Sequence, residues 1–393
     1  MIRLEHAARR GFRVVAAALG VTMVGTTLPT PLYPALQHRL GFDDLTVTVL
    51  FASYAIGVLA ALVLLGRISD VIGRRPVLLA ALACAALSAL AFLAWPGVTG
   101  LLIGRVLSGL SAGMIAGTAT AALVELEPEG DQAHAGLVAT AVNMLGLGCG
   151  PLLSGLLAAF GPAPLIAPFA VHLALVVLTA VGVWFVPQSR RPGSGTRLRI
   201  DWPTLPREVR PIFPAVSAVM FACFAMFGLV AAIEPAFLAK LLHVSSPALS
   251  GGVVFGMFAG SAVSQVATRR LPAPAALTAG CAGAIAAVCG FALALVSGSV
   301  AALVIATVAV GLGHGVAFRA AVALIGARSP VDQRGGTMSS FFVVVYLGIS
   351  APVVAAGRAA GIWGLRVAGI GFTAVVALLL LLALGVLLRA NAR

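Results

Sequence analysis

The sequence predicts an all-α integral membrane protein whose twelve transmembrane helices form two related bundles of six. Three observations predict this fold. Of the 393 residues, 61% are hydrophobic and only 9% are charged, and a soluble domain could not hide so much apolar surface from water. Twelve long apolar runs follow one another along the chain, and short motifs of the first six recur in the last six.

Each apolar run is long enough to cross a bilayer, which takes about 20 helical residues. Lipid offers no hydrogen-bond partners to the backbone, so a run of this length has to be a helix. The runs are 12–34, 45–65, 76–95, 98–125, 133–160, 164–186, 211–238, 248–268, 273–296, 299–327, 335–357 and 361–388.

The basic residues concentrate on one side of the predicted membrane. Of the 25 Lys and Arg residues, all but six lie in the termini and in the connections that share their side. The positive-inside rule assigns that side to the cytoplasm, so we expect a multi-pass protein of the inner (plasma) membrane with both termini cytoplasmic. Topology then explains the net charge of +13, and no nucleic-acid partner is expected. The six exceptions are Arg39, Lys240, Arg358 and Arg366 in outer segments, and Arg105 and Arg319 inside runs.

A polar stretch rich in Pro, Arg and Ser divides the chain. It predicts a bundle at residues 1–187, a cytoplasmic linker at 188–210 and a second bundle at 211–393. An internal duplication in which both halves insert the same way up places a pseudo-twofold axis along the membrane normal and a central cavity between the halves. The matches are Pro34-Ala35 with Pro235-Ala236, Gly109-Leu110 and Gly113 with Gly311-Leu312 and Gly315, Asp131-Gln132 with Asp332-Gln333, and Pro151 with Pro352.

The short connection between the second and third runs contains Gly66, Asp70, Gly73, Arg74 and Arg75. Glycine permits tight turns and close backbone approach, an aspartate can accept hydrogen bonds at a helix start, and the inner membrane surface favours cations. The spacing resembles a loop signature of the major facilitator superfamily: Gly, three residues, Asp, two residues, Gly, Arg, then Arg or Lys.

The resemblance implies a rocker-switch transporter that gives a small molecule alternating access to a central site. It also implies that Asp70 and its arginines form an ion-pair latch against the other half, whereas on topology alone the arginines would only orient the chain. Val71 departs from the family, which often has a basic residue there. The equivalent loop of the second half is Arg269-Arg270 without an acid, so the latch is expected to be one-sided.

The fourth run carries Arg105, four residues before Gly109, in a pattern that resembles a second superfamily signature. A guanidinium cannot discharge by losing its proton and is expensive in hydrocarbon, so it should face a cavity or a partner. A role in substrate charge or proton coupling is one interpretation. The alternative is a structural arginine bonded to helix carbonyls.

The fifth run resembles the signature associated with antiporters, except that a serine replaces the first glycine of its closing pair. Small residues let helices pack closely, and a proline removes one helix bond, so the run can bend there. Antiport and ordinary helix packing both remain open. The motif residues are Gly146, Gly150, Pro151, Ser154 and Gly155.

Ionisable residues inside runs are few, so each is a candidate coupling or substrate site. Glu234 lies near the outer end of the seventh run, where it either binds a cation or a proton in the cavity or snorkels to the interface. His314 and Arg319 of the tenth run are five residues apart and so lie on different helix faces. Glu125 is a candidate partner for Arg319.

The first run offers Thr26 and Tyr33 as cavity residues but no acid. Many proton-coupled drug exporters of the superfamily have an acid in this span, so its absence weakens drug–proton antiport. Pro29, Pro31 and Pro34 predict that the outer end of the first helix is broken.

No cofactor or metal is expected. The five cysteines lie in apolar runs without zinc-type spacing or paired loop positions. Met220, Cys223 and Met226 have the helical spacing that would suit Cu(I), but packing is the usual role of such residues. The sequence lacks a nucleotide-binding loop and a clustered set of catalytic residues, so neither ATP-driven transport nor an enzyme is expected.

The sequence therefore predicts a monomeric secondary active transporter in the lipid bilayer, whose partners are a small-molecule substrate and protons. Proton-coupled efflux of a small, partly hydrophobic compound is the first interpretation. Uptake of a metabolite or a soft metal by the same fold is the second. A non-transporting sensor or an integral-membrane enzyme is the alternative from another class.

Overall fold

The computed structural model is helical, without strands, over the residues that it describes, 2–65, 68–95, 97–187, 203–330 and 333–391. Twelve helical segments in this part are long and apolar enough to span a membrane, which confirms the predicted fold class. The helices are α1 (Ile2–Thr27), α2 (Tyr33–Leu40), α3 (Asp44–Leu65), α4 (Ile68–Ile72), α5 (Arg74–Ala94), α6 (Val98–Leu126), α7 (Gln132–Phe160), α8 (Ala167–Trp184), α9 (Phe213–Ala236), α10 (Pro247–Ala267), α11 (Ala273–Ser297), α12 (Val300–Arg328), α13 (Arg334–Trp363) and α14 (Leu365–Asn391).

The chain divides into two compact units. The first unit comprises Met1–Pro29 and Ser53–Asp201, and the second comprises Thr30–Ala52 and Trp202–Arg393. The segment Thr30–Ala52 thus packs with the second half of the chain, although it lies far before the predicted linker in the sequence. The predicted bundle boundaries remain a prediction, since most of the linker lies outside the described residues, as do Gly66 and Asp332.

In the first unit, glycines bring α3 and α6 into backbone contact. A Cβ atom on Gly109 would lie 2.1 Å from the carbonyl oxygen of Tyr54, and one on Gly113 would lie 2.6 Å from the Cβ of Ala61. Side chains at these two positions would force the helices apart, because real Cβ atoms do not come so close to a neighbour.

The second unit repeats this contact between α10 and α12. A Cβ atom on Gly311 would lie 2.0 Å from the carbonyl oxygen of Met257, and one on Gly315 would lie 2.2 Å from that of Ser261. The glycine pairs matched in the sequence therefore serve the same purpose in both units: the fourth span crosses the second as the tenth crosses the eighth.

The C-terminal end of the first span is broken, as the prolines predicted. Helix α1 ends at Thr27, a 3-10 turn follows at Thr30–Leu32, and α2 begins at Tyr33 with Pro34 in its first turn. Proline has no backbone N–H and fits best in the first turn of a helix, so Pro29 and Pro31 lie in the break after α1 and Pro34 fits the start of α2.

One predicted boundary is wrong. We placed the end of the eleventh span at Gly357 and the start of the twelfth at Gly361, whereas α13 continues to Trp363. The break comes at Gly364, whose φ of 81° lies in the left-handed region that favours glycine. Gly357 lies within α13 and packs against Thr48, whose Oγ1 would be 2.3 Å from a Cβ atom at that position.

Candidate functional site

A cluster of charges lies where the second to fourth spans end on their predicted inner side. Arg74 is buried, and its guanidinium contacts Asp70 at 2.6 Å, Glu125 at 3.0 Å and the hydroxyl of Ser69 at 2.6 Å. It thereby joins the short helix α4 to the end of α6. The structure pairs Glu125, which we considered as a partner for Arg319, with Arg74, and the latch of Asp70 against the other half stays a prediction.

Two further residues of the signature have a local explanation. Gly73 has a φ of 99° just before α5, a backbone conformation that other residues adopt only with strain. The guanidinium carbon of Arg75 lies 5.0 Å from the ring centre of Trp184 in α8, which is a cation–π contact. The loop is therefore held by a left-handed glycine and two differently bound arginines.

Arg105 lies at the broken end of the first helix. Its side chain is 2% exposed, its Nη1 donates to the carbonyl oxygen of Thr26, and its guanidinium lies 4.9 Å from the ring centre of Tyr54. The last carbonyls of a helix have no partner within the helix, so Arg105 caps α1 at the point where the prolines end it. This contact agrees with the structural alternative, while a role in coupling stays a prediction.

The antiporter-like motif of the fifth span faces α1. A Cβ atom on Gly146 would lie 2.8 Å from the carbonyl oxygen of Gly20, and one on Gly150 would lie 2.3 Å from that of Val24. Close packing therefore accounts for these two glycines. Pro151, Ser154 and Gly155 are also buried in α7, where the Ser154 hydroxyl donates to the carbonyl oxygen of Pro151 at 3.3 Å.

Glu234 is fully buried in the second unit, at 0% exposure, so it does not snorkel to an interface. Its Oε2 accepts a hydrogen bond of 2.9 Å from the hydroxyl of Ser250 in α10. Among the described residues, no donor reaches its Oε1. Burying a carboxylate without a paired cation is costly, and this carboxyl group has one oxygen left for a proton or a ligand.

The predicted outer end of the second unit contains an ion pair between distant parts of the sequence. Oδ1 of Asp44 accepts from Nζ of Lys240 at 2.7 Å and from Nε2 of Gln37 at 2.9 Å. Tyr33, Asp44 and Pro235 line the same small cavity. Lys240 lies in a short π-helix, Phe237–Leu241, that continues the seventh span beyond α9. The beginning of α3, the helix α2 and the end of the seventh span are thus bound together.

Asp43 caps the beginning of α3. Its Oδ1 accepts from the hydroxyl of Thr46 at 2.6 Å and from the backbone N–H of Thr46 at 2.8 Å. These two hydrogen bonds, the side-chain one first, hold the pKa of the exposed Asp43 carboxyl below its usual range.

His314 is buried in an aromatic cluster of the second unit. Its ring centre lies 4.1 Å from that of Phe227 and 4.8 Å from that of Phe224, and its Nδ1 lies 2.9 Å from the hydroxyl of Ser261. Arg319 points elsewhere, because its Nη2 donates to the carbonyl oxygen of Leu271 at 3.1 Å. The two residues therefore lie apart, as their spacing predicted.

The predicted site residues thus fall into separate groups. Within the first unit, Asp70 and Arg74 meet near one end of the spans and Thr26 and Arg105 meet at the break in the first helix. Glu234, His314 and Arg319 belong to the second unit and have no direct contact with one another among the bonds described. Over the described residues, no three His, Cys, Asp or Glu side chains are grouped so as to hold a metal ion.

The family model described as Major Facilitator Superfamily matches residues 15–351. The chain belongs to the Major Facilitator Superfamily. As a member of this superfamily it is a multi-pass membrane transporter and not an enzyme.

Two curated relatives of this superfamily member are resistance proteins. The class C tetracycline resistance protein of Escherichia coli is 32% identical over 176 residues, which are 43% of this chain and 42% of that protein. The puromycin resistance protein pur8 of Streptomyces alboniger is 30% identical over 186 residues, 47% of this chain and 36% of that protein. The match therefore spans less than half of each relative's length.

Solved structures of the superfamily share the fold over almost the whole chain. A bacterial homologue of the human lysosomal transporter Spinster has a TM-score of 0.71 at 16% identity and covers 98% of both chains. The human organic anion transporter MFSD10 has a TM-score of 0.69 at 18% identity, over 97% of this chain and 99% of that one. Likeness at this identity establishes the fold alone.

Three structurally prominent residues of this superfamily member were not among the predicted site residues: Asp44, Lys240 and Ser250. Lys240 and Asp44 had a signal, since Lys240 is the chain's single lysine and Asp44 belongs to an acidic pair in an outer segment. Ser250 had no signal in the sequence, because serines are common near the start of membrane helices. Only the contact with Glu234 distinguishes it.

Proposed function

We propose that this transporter exports a small, partly hydrophobic compound in exchange for protons, by alternating access of its two halves to a central site. Its relatives are named for resistance to tetracycline and to puromycin. Export is one way in which a membrane transporter protects a cell from such a compound. The antiporter-like motif of the fifth span supports the same direction.

The observation that carries the proposal is the environment of Glu234. The first span has no acid, so another residue must carry the proton if transport is proton-coupled. Glu234 is fully buried, has one hydroxyl donor, and has one oxygen without a partner among the described residues. Acids inside membrane spans are costly and are typically found where protons or ions are handled.

Coupling follows from the cost of the ionised state. The carboxylate of Glu234 is unfavourable where no cation pairs with it, whereas the neutral acid is tolerated. Ionisation and protonation therefore favour different arrangements of the surrounding helices. A proton gradient can drive alternating access through that difference, because a ligand shifts an equilibrium by its differential affinity for the two states.

Two charged clusters are suited to stabilise the two conformations between which the transporter alternates. In the proposed orientation, with both termini in the cytoplasm, the Asp70–Arg74–Glu125 cluster lies on the inner side and the Asp44–Lys240 pair on the outer side. Asp44 belongs to the first half of the predicted repeat and Lys240 to the second. We propose that their contact is part of an outer gate.

The experiment uses proteoliposomes with an imposed pH gradient and a compound pool that includes tetracycline and puromycin. The unchanged protein should accumulate a compound only when the gradient is present. Glu234→Gln keeps the shape of the side chain but cannot carry a proton, so gradient-driven accumulation should fall about tenfold or more, while exchange of labelled for unlabelled compound without a gradient continues.

The matched control is Glu129→Gln, at an exposed position outside the spans, which should transport as the unchanged protein does. Full pH-dependent transport by Glu234→Gln would remove Glu234 from the coupling mechanism. Accumulation that never depends on the gradient would refute proton exchange. Movement of the compound in the same direction as the protons would favour uptake over export.

A further inference from the structure

A cavity of about 240 Å³ lies in the second unit beside the loop between the seventh and eighth spans. Pro34 and Pro235 form part of its wall, and Ser245, Ser246 and Ser250 are its polar lining residues. Ser245 is exposed to solvent. The cavity is large enough for several water molecules, and its serines offer hydrogen-bond partners to them.

Glu234 does not line this cavity, but Ser250 does. The side chain of Ser250 is 3% exposed, and its hydroxyl donates to Oε2 of Glu234 at 2.9 Å. A serine hydroxyl can donate one hydrogen bond while its oxygen accepts others. Ser250 is thus placed between a buried carboxyl group and a cavity that reaches the proposed outer side.

We infer that Ser250 passes protons from this cavity to Glu234, an inference that rests on the proposed role of Glu234 in proton coupling. A hydronium ion in the cavity gives a proton to the oxygen of Ser250 as the hydroxyl proton of Ser250 moves to Oε2 of Glu234. One O–H bond breaks and one forms at each transfer. The products are water, an intact serine and a neutral glutamic acid.

Other titratable groups near this end of α9 are engaged elsewhere, exposed or further away. The exposed His243 lies in the loop next to the cavity-lining Val244. Asp44 and Lys240 bond to each other, and His314 lies beside Phe227, which is two helical turns before Glu234. Helix α10 carries no charged residue. Tyr33 lines the neighbouring small cavity, while Arg358 and Arg366 are exposed near the ends of α13 and α14.

A pair of variants with the same side-chain shape tests the inference. Ser250→Thr keeps the hydroxyl, and Ser250→Val replaces it by a methyl group. Ser245→Ala removes a hydroxyl from the same cavity wall without touching Glu234. Each protein is reconstituted in vesicles, and infrared spectroscopy follows the carboxylic acid C=O band that Glu234→Gln removes, after a rapid drop in outside pH. No transported compound is needed.

We expect the band of Ser250→Val to form about tenfold more slowly or worse, since positioned proton transfer typically contributes at least that much. Ser250→Thr and Ser245→Ala should remain within about twofold of the unchanged protein by the same measure. Equal rates for Ser250→Val and Ser250→Thr would overturn the inference while leaving Glu234 as the proton carrier. If the unchanged protein shows no band that Glu234→Gln removes, the proposed function fails and the inference fails with it.

Discussion

The hydroxyl of Thr27 donates a hydrogen bond of 2.6 Å to the carbonyl oxygen of Leu147. In an unbroken helix that oxygen would accept from the N–H of residue 151, but residue 151 is a proline and has none. Lipid offers no substitute donor. Thr27 of α1 therefore satisfies an acceptor of α7 that the proline of the antiporter-like motif leaves open.

The first prediction concerns this bond. Thr27→Val should lower the free energy of unfolding by about 1 kcal/mol, as expected for a hydrogen bond between membrane helices, and Thr27→Ser should restore most of it. Thr22→Val is the control, because the buried Thr22 hydroxyl has no partner among the described residues. Thermal unfolding in detergent measures the stability of all three variants. An equal loss for Thr22→Val would show that the hydroxyl bond is unimportant.

The second prediction concerns the repeated glycine contact. Gly109→Ala and Gly311→Ala would each place a Cβ atom about 2 Å from a backbone oxygen, so each should destabilise its unit by about 1–3 kcal/mol through overpacking. Gly117→Ala, where a Cβ atom meets nothing within 4 Å, should be neutral. If only one of the two contact variants is destabilised, the two crossings are not equivalent.

The third prediction concerns the one-sided latch. Asp70 pairs with the buried Arg74 at 2.6 Å, whereas Arg269 in the corresponding loop is exposed. Asp70→Asn should slow transport about tenfold, or about 1.4 kcal/mol, and Arg269→Gln should have little effect. Initial transport rates at matched protein levels test this. Comparable defects at both positions would contradict a latch that depends on Asp70 alone.

The fourth prediction concerns the cap of α3. Because folding lowers the pKa of the Asp43 carboxyl, the ionised group stabilises the folded state fully above its unfolded pKa of about 4. This contribution is lost as the pH falls through the lower folded pKa. Asp43→Asn keeps a capping oxygen but does not titrate, so the difference in thermal stability between it and the unchanged protein should change between about pH 5 and about pH 3. A constant difference would be the contrary result.

The spans could be predicted because lipid offers the backbone no hydrogen-bond partners, so a long apolar run has to be a helix. The same reasoning predicted the broken first helix, since Pro29 and Pro31 cannot continue it. It failed at Gly357, because a glycine in a membrane helix is as often a packing position as an end. Only the left-handed φ of Gly364 distinguishes the true break, and neighbouring residues do not reveal which glycine adopts it.

The candidate site was less predictable because its bonds join residues far apart in the sequence. Arg105 was expected to need a partner, but nothing in the sequence shows that the partner is a carbonyl at the end of α1. Likewise, Glu234 stood out in the sequence as an acid inside an apolar run, whereas Ser250 becomes important only through the register of α9 against α10. Such registers depend on side-chain packing between helices, which hydrophobic periodicity does not determine.

The Asp44–Lys240 pair has a practical consequence. Lys240 is the single lysine in the chain, and its Nζ is the side-chain amine available to an acylating reagent. While that amine is bound to Asp44 it should react slowly, and when the contact opens it should react faster. The rate of covalent labelling at one native nucleophile would therefore report the opening of this end of the transporter without an engineered probe.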